Sequence, residues 1–176
     1  MKKLICNLLA LLLFVSLGMT ERPPQAEQPK AAVVEAAAQQ AAQENKPQLW
    51  TEEDAELLAK TLYGEAGSSW IATEQKAAVV WCVLNRVDAG RGSIAEVVTA
   101  DKQFLGYDPD HPVTTELHAL AVDVLERWQA EHEGQTNVGR TLPADYLYFT
   151  GDGEVNYFTS EWQTGPAWDW SLPSPY

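Results

Sequence analysis

The sequence predicts a mainly helical α+β domain that carries a small antiparallel β-hairpin, and three observations predict it. Apolar residues recur at helical spacing in segments opened by capping residues. One of these segments centres on eight consecutive apolar residues, Ala77 to Leu84. The last third changes to two alternating runs, Tyr146 to Thr150 and Val155 to Thr159, around an Asp152-Gly153 turn signal.

The chain opens with residues that are expected to precede the domain. Residues 1–20 read as a secretory signal: Lys2 and Lys3, an apolar run from Leu8 to Val15, then small residues at Ser16, Gly18 and Thr20. The run falls short of the about 20 apolar residues that span a bilayer, so no stable span is expected once it is removed. Uncleaved, it would tether the protein to a membrane. Cys6 lies before the run instead of closing it, which is not the arrangement of a lipoprotein. Residues 21–49 are rich in Ala, Gln, Glu and Pro and lack aromatics, the composition of a disordered spacer. The folded domain is assigned to 50–176.

Charge and cysteine content narrow the classes of function. The chain has 12 basic and 25 acidic residues, a formal −13. Without Lys2 and Lys3 the balance is 10 against 25, or −15. This argues against nucleic acid, where phosphate neutralisation supplies most of the affinity. An anionic partner would have to be held by local stacking and hydrogen bonds. Loss of Cys6 with the signal leaves Cys82 alone, so the exported fold has no internal disulfide to rely on.

Within the domain, Thr51 is a good N-cap and is followed by acids at 52, 53 and 54, which suit the positive end of a helix. This helix should reach Tyr63 or Glu65. Leu58, Leu62 and Glu65 then share one face, which gives the carboxylate two readings. At the lip of a cleft, burial would hold its proton on and make it a general acid. In the bland reading it is a solvated helix end or a partner for an Arg. Gly64 and Gly67 suggest a helix end where backbone passes close to something.

A second helix, about Thr73 to Val87, should be covered on all sides. Cys82 within it is a packing residue, because a reactive thiol needs an exposed, electropositive setting. Asn85 and Arg86 close it; Arg86 is expected to cap the helix end or pair with an acid. Gly90 and Gly92 mark the turn, and Ser93 to Glu96 is a capping box that starts a short helix to about Ala100. In the loop from Asp101 to Val113, Gln103 beside Phe104 is either a substrate contact or a local staple.

Leu117, Leu120, Ala121, Val124, Leu125 and Trp128 form the apolar stripe of a fourth helix, which Gly134 ends. His118 and His132 lie on or near it without a partner at metal-ligand spacing, so no metal or other cofactor is expected. In the hairpin, Asp152-Gly153 as the turn pair would set Tyr148 opposite Tyr157 and Leu147 opposite Phe158. Leu147, Phe149 and Phe158 would face inward. Tyr146, Tyr148 and Tyr157 would face a wet surface suited to sugar rings, though tyrosines also pair across strands with no ligand. Nine of the 17 aromatics lie in the last 31 residues, the mark of a tail that straps onto the domain.

Several of these segments together resemble a known family. Leu-Ala-Lys-Thr-Leu-Tyr-Gly-Glu-Ala at 58–66, Val-Leu-Asn-Arg-Val at 83–87, Ser-Ile-Ala-Glu-Val-Val at 93–98, Gln-Phe at 103–104 and Tyr-Leu-Tyr-Phe at 146–149 come in that order. Over roughly residues 52–160 the chain resembles the SleB-type cell-wall hydrolases, the spore cortex-lytic enzyme family. The resemblance implies a lysozyme- and lytic-transglycosylase-like fold, peptidoglycan glycan strands as substrate, and Glu65 as the single catalytic acid/base. It places Gln103 and Phe104 in the cleft, with Tyr146 and Tyr148 lining it. The signal at residues 1–20 implies a secreted protein of the cell wall or extracellular space, and a monomer is expected. A cell-wall amidase and a non-catalytic glycan-binding module are the competing classes. No separate wall-binding repeat is visible, so specificity for spore cortex does not follow.

Overall fold

The computed structural model describes residues 47–176. The expected signal and nearly all of the expected spacer lie outside the described residues. Helix α1 (Glu52–Ala66) starts at a full capping box: the Thr51 hydroxyl accepts the Asp54 N–H, and the Asp54 carboxylate accepts the Thr51 N–H. Such a cap contributes about 1 kcal/mol. Ala55, Leu58, Ala59 and Leu62 form its buried face. The helix passes through Gly64 and stops at Ala66, one residue beyond the expected limit at Glu65. Gly67 keeps an ordinary right-handed φ of −69°. A Cβ added at Gly64 would lie 1.6 Å from the Gly106 carbonyl oxygen, so it is crowding by a neighbouring loop that requires this glycine.

Helix α2 (Thr73–Asp88) is the centre of the core, with every residue from Lys76 to Arg86 buried. Full burial of each Val or Leu contributes about 1.5–3 kcal/mol, so this one helix supplies much of the driving force. The Trp81 indole is closed from solvent, and the Arg140 guanidinium lies 4.2 Å from its ring centre. Gly90, at φ +74°, ends the helix in the left-handed region. Helix α3 (Ile94–Thr99) starts at the capping box of Ser93 and Glu96 and buries Ile94, Val97 and Val98. Helix α4 (Thr115–His132) packs its stripe from Leu117 to Trp128 on α1 and α2. Asp88 at the end of α2 accepts the Trp128 indole N–H and pairs with His132, which ties the two helices together.

Strands β1 (Tyr148–Gly151) and β2 (Asn156–Thr159) form a two-stranded antiparallel sheet. The mixture is α+β. Its register corrects the sequence expectation: Phe149 faces Phe158, Thr150 faces Tyr157 and Tyr148 faces Thr159. The connection is a four-residue loop, not a two-residue turn. The Asp152 carboxylate accepts the N–H groups of Glu154 and Val155 and so builds a wider turn. The slip amounts to two residues, and a shift by an even number keeps Phe149 and Phe158 on the inner face and Tyr157 on the outer one, whereas Tyr146, expected on the wet face, packs against the core. Phe158 is accordingly buried, and Phe149 packs on it at 5.3 Å between ring centres.

The tail straps down as expected. The Trp168 indole donates to the Thr141 carbonyl, Trp170 packs edge-on against Phe158, and the Tyr176 hydroxyl donates to Asp123. Among the described residues no helix is long and apolar enough to cross a membrane.

Candidate functional site

The Asn85-Arg86 pair at the end of α2 holds the hairpin in place. The Asn85 amide donates to the carbonyls of Pro143 and Tyr146, while its oxygen accepts from Arg140. Arg86 Nε donates to the Leu147 carbonyl at 2.6 Å. The expected acid partner for Arg86 is not found: among the described residues no carboxylate pairs with it. Its guanidinium stays in the core, bonded to Gln103 and lying over the rings of Phe104 and Tyr148. Two buried polar side chains thus fix the strand that faces α1.

Between α1 and this hairpin is a cleft of about 320 Å³. Tyr63 to Ser68 and Ile71 line one side; Phe149, Gly151, Gly153, Val155 and Asn156 line the other. Glu65 is the carboxylate among these lining residues, and it is only partly exposed. Its Oε1 accepts the Gly106 backbone N–H at 2.7 Å. Burial pushes its pKa above the ordinary 4.5, opposed by the Gly106 N–H and by the charge of Arg86, both of which favour the ionised form. Glu65 is therefore neither a fully solvated helix end nor a member of an ion pair. The close approach of Gly64 and Gly106 brings the loop N–H to the carboxylate.

The other residues singled out from sequence are dispersed around this cleft. Phe104 is buried and packs on Phe149, so it supports the cleft wall from behind. Gln103 accepts from Arg86 and lines a separate pocket with Arg86 and Arg91. Tyr146 is half-buried edge-on against Trp168. The Tyr148 hydroxyl accepts from Arg91, and its ring packs edge-on against Trp162. None of these four is among the residues lining the cleft of Glu65. Tyr157 is exposed, with its hydroxyl donating to Asp152.

Three cleft residues were not signalled by the sequence. Tyr63 is exposed, with its ring tilted against His111 at 4.9 Å between centres. Trp70, beside the lining residues Ser68 and Ile71, is 68 % exposed, and its indole donates to the Gly153 carbonyl on the far wall. Asn156 is buried, and its amide nitrogen has no hydrogen-bond partner among the described residues. Tyr63 could have been noticed as the aromatic two positions before Glu65. Trp70 and Asn156 reach the cleft only through tertiary contacts.

A larger cavity, about 440 Å³, lies elsewhere, lined by Glu131, Arg140, Leu172 and Pro173 among others. Its one carboxylate, Glu131, is tied up in an ion pair with Arg140 at 2.7 Å, whereas Glu65 accepts only a backbone N–H. Chemistry therefore favours the smaller cleft. Among the described residues no group of three or more His, Cys, Asp or Glu could hold a metal ion. Burial pushes the Cys82 thiol up to about 11, the state of an unreactive packing residue. No protein-family profile, no curated protein and no solved structure matches the chain.

Proposed function

We propose that this protein is a peptidoglycan-degrading glycosidase of the lytic transglycosylase type, with a fold of the lysozyme group and Glu65 as its single acid/base. The observation that carries this reading is a cleft whose one lining carboxylate is desolvated and holds its proton more tightly than a free one. Such a group can protonate the glycosidic oxygen between N-acetylmuramic acid and N-acetylglucosamine as the C1–O bond breaks. Now ionised, Glu65 takes the proton of the muramic 6-hydroxyl, whose oxygen closes on C1 to give a 1,6-anhydro ring. The carboxyl group is protonated again, and the cycle is complete without water.

A hydrolytic route would call for a second carboxylate roughly 5–9 Å away. Asp152, Glu154, Asp108 and Glu161 are the sequence's candidates for that role, and none is among the residues lining the cleft. Asp152 is held below the usual carboxylate range by the N–H groups of Val155 and Glu154 and by the Tyr157 hydroxyl. Asp108 accepts the Asp110 N–H, and Glu161 accepts from Thr164. The exposed rings of Tyr63 and Trp70 suit sugar faces, a feature that a non-catalytic glycan-binding module would share.

Digestion of purified peptidoglycan, reduction of the products and mass analysis test the assignment. An anhydro end is about 20 Da lighter than a reduced hydrolytic end, a water plus two hydrogens. Anhydro muropeptides are expected. Reduced muramic ends alone would replace the transglycosylase by a muramidase, and release of free peptides would replace it by an amidase.

A further inference from the structure

A pocket of about 230 Å³ lies behind the aromatic wall of the cleft, lined by Arg86, Arg91, Val97, Ala100 and Gln103. The two cavities share a partition: Phe149 of the cleft wall packs on Phe104, and Phe104 lies under Arg86. Both guanidinium groups flank one ring, with Arg86 Cζ 5.7 Å and Arg91 Cζ 5.0 Å from the centre of Tyr148. Arg86 is only 3 % exposed. Its hydrogen-bond partners are the Leu147 carbonyl, the Gln103 amide oxygen and the Cys82 sulfur, all neutral, and Glu65, whose carboxylate feels its charge, makes no ion pair with it. Arg91 donates to the Tyr148 hydroxyl, also neutral.

The chain has 25 acidic residues, yet among the described residues none pairs with either guanidinium. The nearest acids in sequence are engaged elsewhere: Asp88 accepts the Trp128 indole N–H, Glu96 accepts the Ser93 N–H, and Asp101 lies 3.8 Å from Lys102 Nζ. A charge withdrawn from water and given only neutral partners is destabilising unless something ionic completes it. Gln103 has a donor to spare, because its amide nitrogen reaches the Asp101 carbonyl only at 3.5 Å.

We infer that this pocket is a binding site for a carboxylate carried by the ligand. A guanidinium presents paired N–H groups whose spacing matches the two oxygens of a carboxylate, and the Gln103 amide adds a third donor beside them. The volume admits a carboxylate with the carbons that carry it. The pocket's chemistry stands on its own residues; what carries the carboxylate rests on the peptidoglycan reading. On a muramic strand it is either the lactyl group of a peptide-free sugar or the end of a stem peptide.

Nitrogen-15 NMR of the full chain separates these sources, with N-acetylmuramic acid and N-acetyl-dialanine as probes and their methylamides as controls. The Nε–Hε signals of Arg86 and Arg91 should shift saturably with at least one acid and not with its amide. The acid that produces the shift names the carrier. Arg91→Gln, at an exposed position, should weaken that binding about tenfold, as expected for loss of a charge-assisted bond. No saturable shift with either acid, or equal shifts with acid and amide, overturns the proposal. If peptidoglycan is not cleaved but the arginine signals respond, the glycosidase reading fails and the pocket stands.

Discussion

Glu65 sits between two opposing influences, and their balance makes its behaviour measurable. Burial raises its pKa, while the Gly106 N–H and Arg86 restrain the rise. In its proposed role as a general acid it would work while protonated, so activity should fall as pH rises through a value above the ordinary 4.5. A kcat/KM–pH profile with its alkaline limb in the ordinary carboxylate range would contradict this. The same shift governs stability. The folded chain binds this proton more tightly than the unfolded chain, so the stabilisation is complete below 4.5 and is lost as pH rises through the folded value. Glu65→Gln keeps the shape and an acceptor for the Gly106 N–H. It should lower turnover about 10²–10⁴-fold with glycan binding retained. It should also raise Tm at pH 7 relative to the native chain, with the gain vanishing in acid. Unchanged turnover would remove Glu65 from the chemistry, and glycan binding with no turnover in either form would indicate a binding module. That a Glu on an apolar face would be shielded was legible in the sequence, because helical periodicity alone puts it beside Leu58 and Leu62. Its tie to Gly106 was not, since 41 residues separate the two in the chain.

Elements show where such legibility stops. Caps, apolar stripes and helix order follow from local chemistry, and the helices fall close to their expected limits. The hairpin was recognised with its faces correct but its register displaced. The Asp-Gly pair reads as a two-residue turn, and only the Asp152 carboxylate, by collecting two N–H groups, selects the longer loop. Arg86 misled for a related reason: a charge in an acidic chain suggests an ion pair, whereas its partners are backbone and amide groups brought in by tertiary packing. The contact of α1 with the loop before α4 gives the sharpest test at this scale. Gly64→Ala must push the Gly106 carbonyl away, at a cost of about 1–3 kcal/mol for overpacking, against which the better helix propensity of alanine returns less than about 1 kcal/mol. Chemical denaturation should show a net loss, and turnover should fall with it because the Gly106 N–H leaves Glu65. A variant more stable than the native chain would show that the two segments part freely. Thr51→Ala, remote from the cleft, should cost about 1 kcal/mol by the same measurement without changing the pH profile.

At the scale of the whole molecule, residues 47–176 form one contact unit around α2, and Cys82 lies at its centre. A thiol that is both fully enclosed and held near 11 cannot react while the fold is closed. Alkylation of the described domain at pH 8 should therefore proceed only at the rate of opening and accelerate in parallel with denaturant-induced loss of helix. Fast labelling under native conditions would refute the packing. The bond from the Trp70 indole to the Gly153 carbonyl joins the two walls of the groove at its rim. A polymer entering there must either pass beneath this bridge or displace it, and displacement returns the indole N–H to water. The protein thus contains its own optical gauge: if the proposed glycan strand enters here, a change in tryptophan emission that is abolished by Trp70→Phe would report its arrival before any bond is cut.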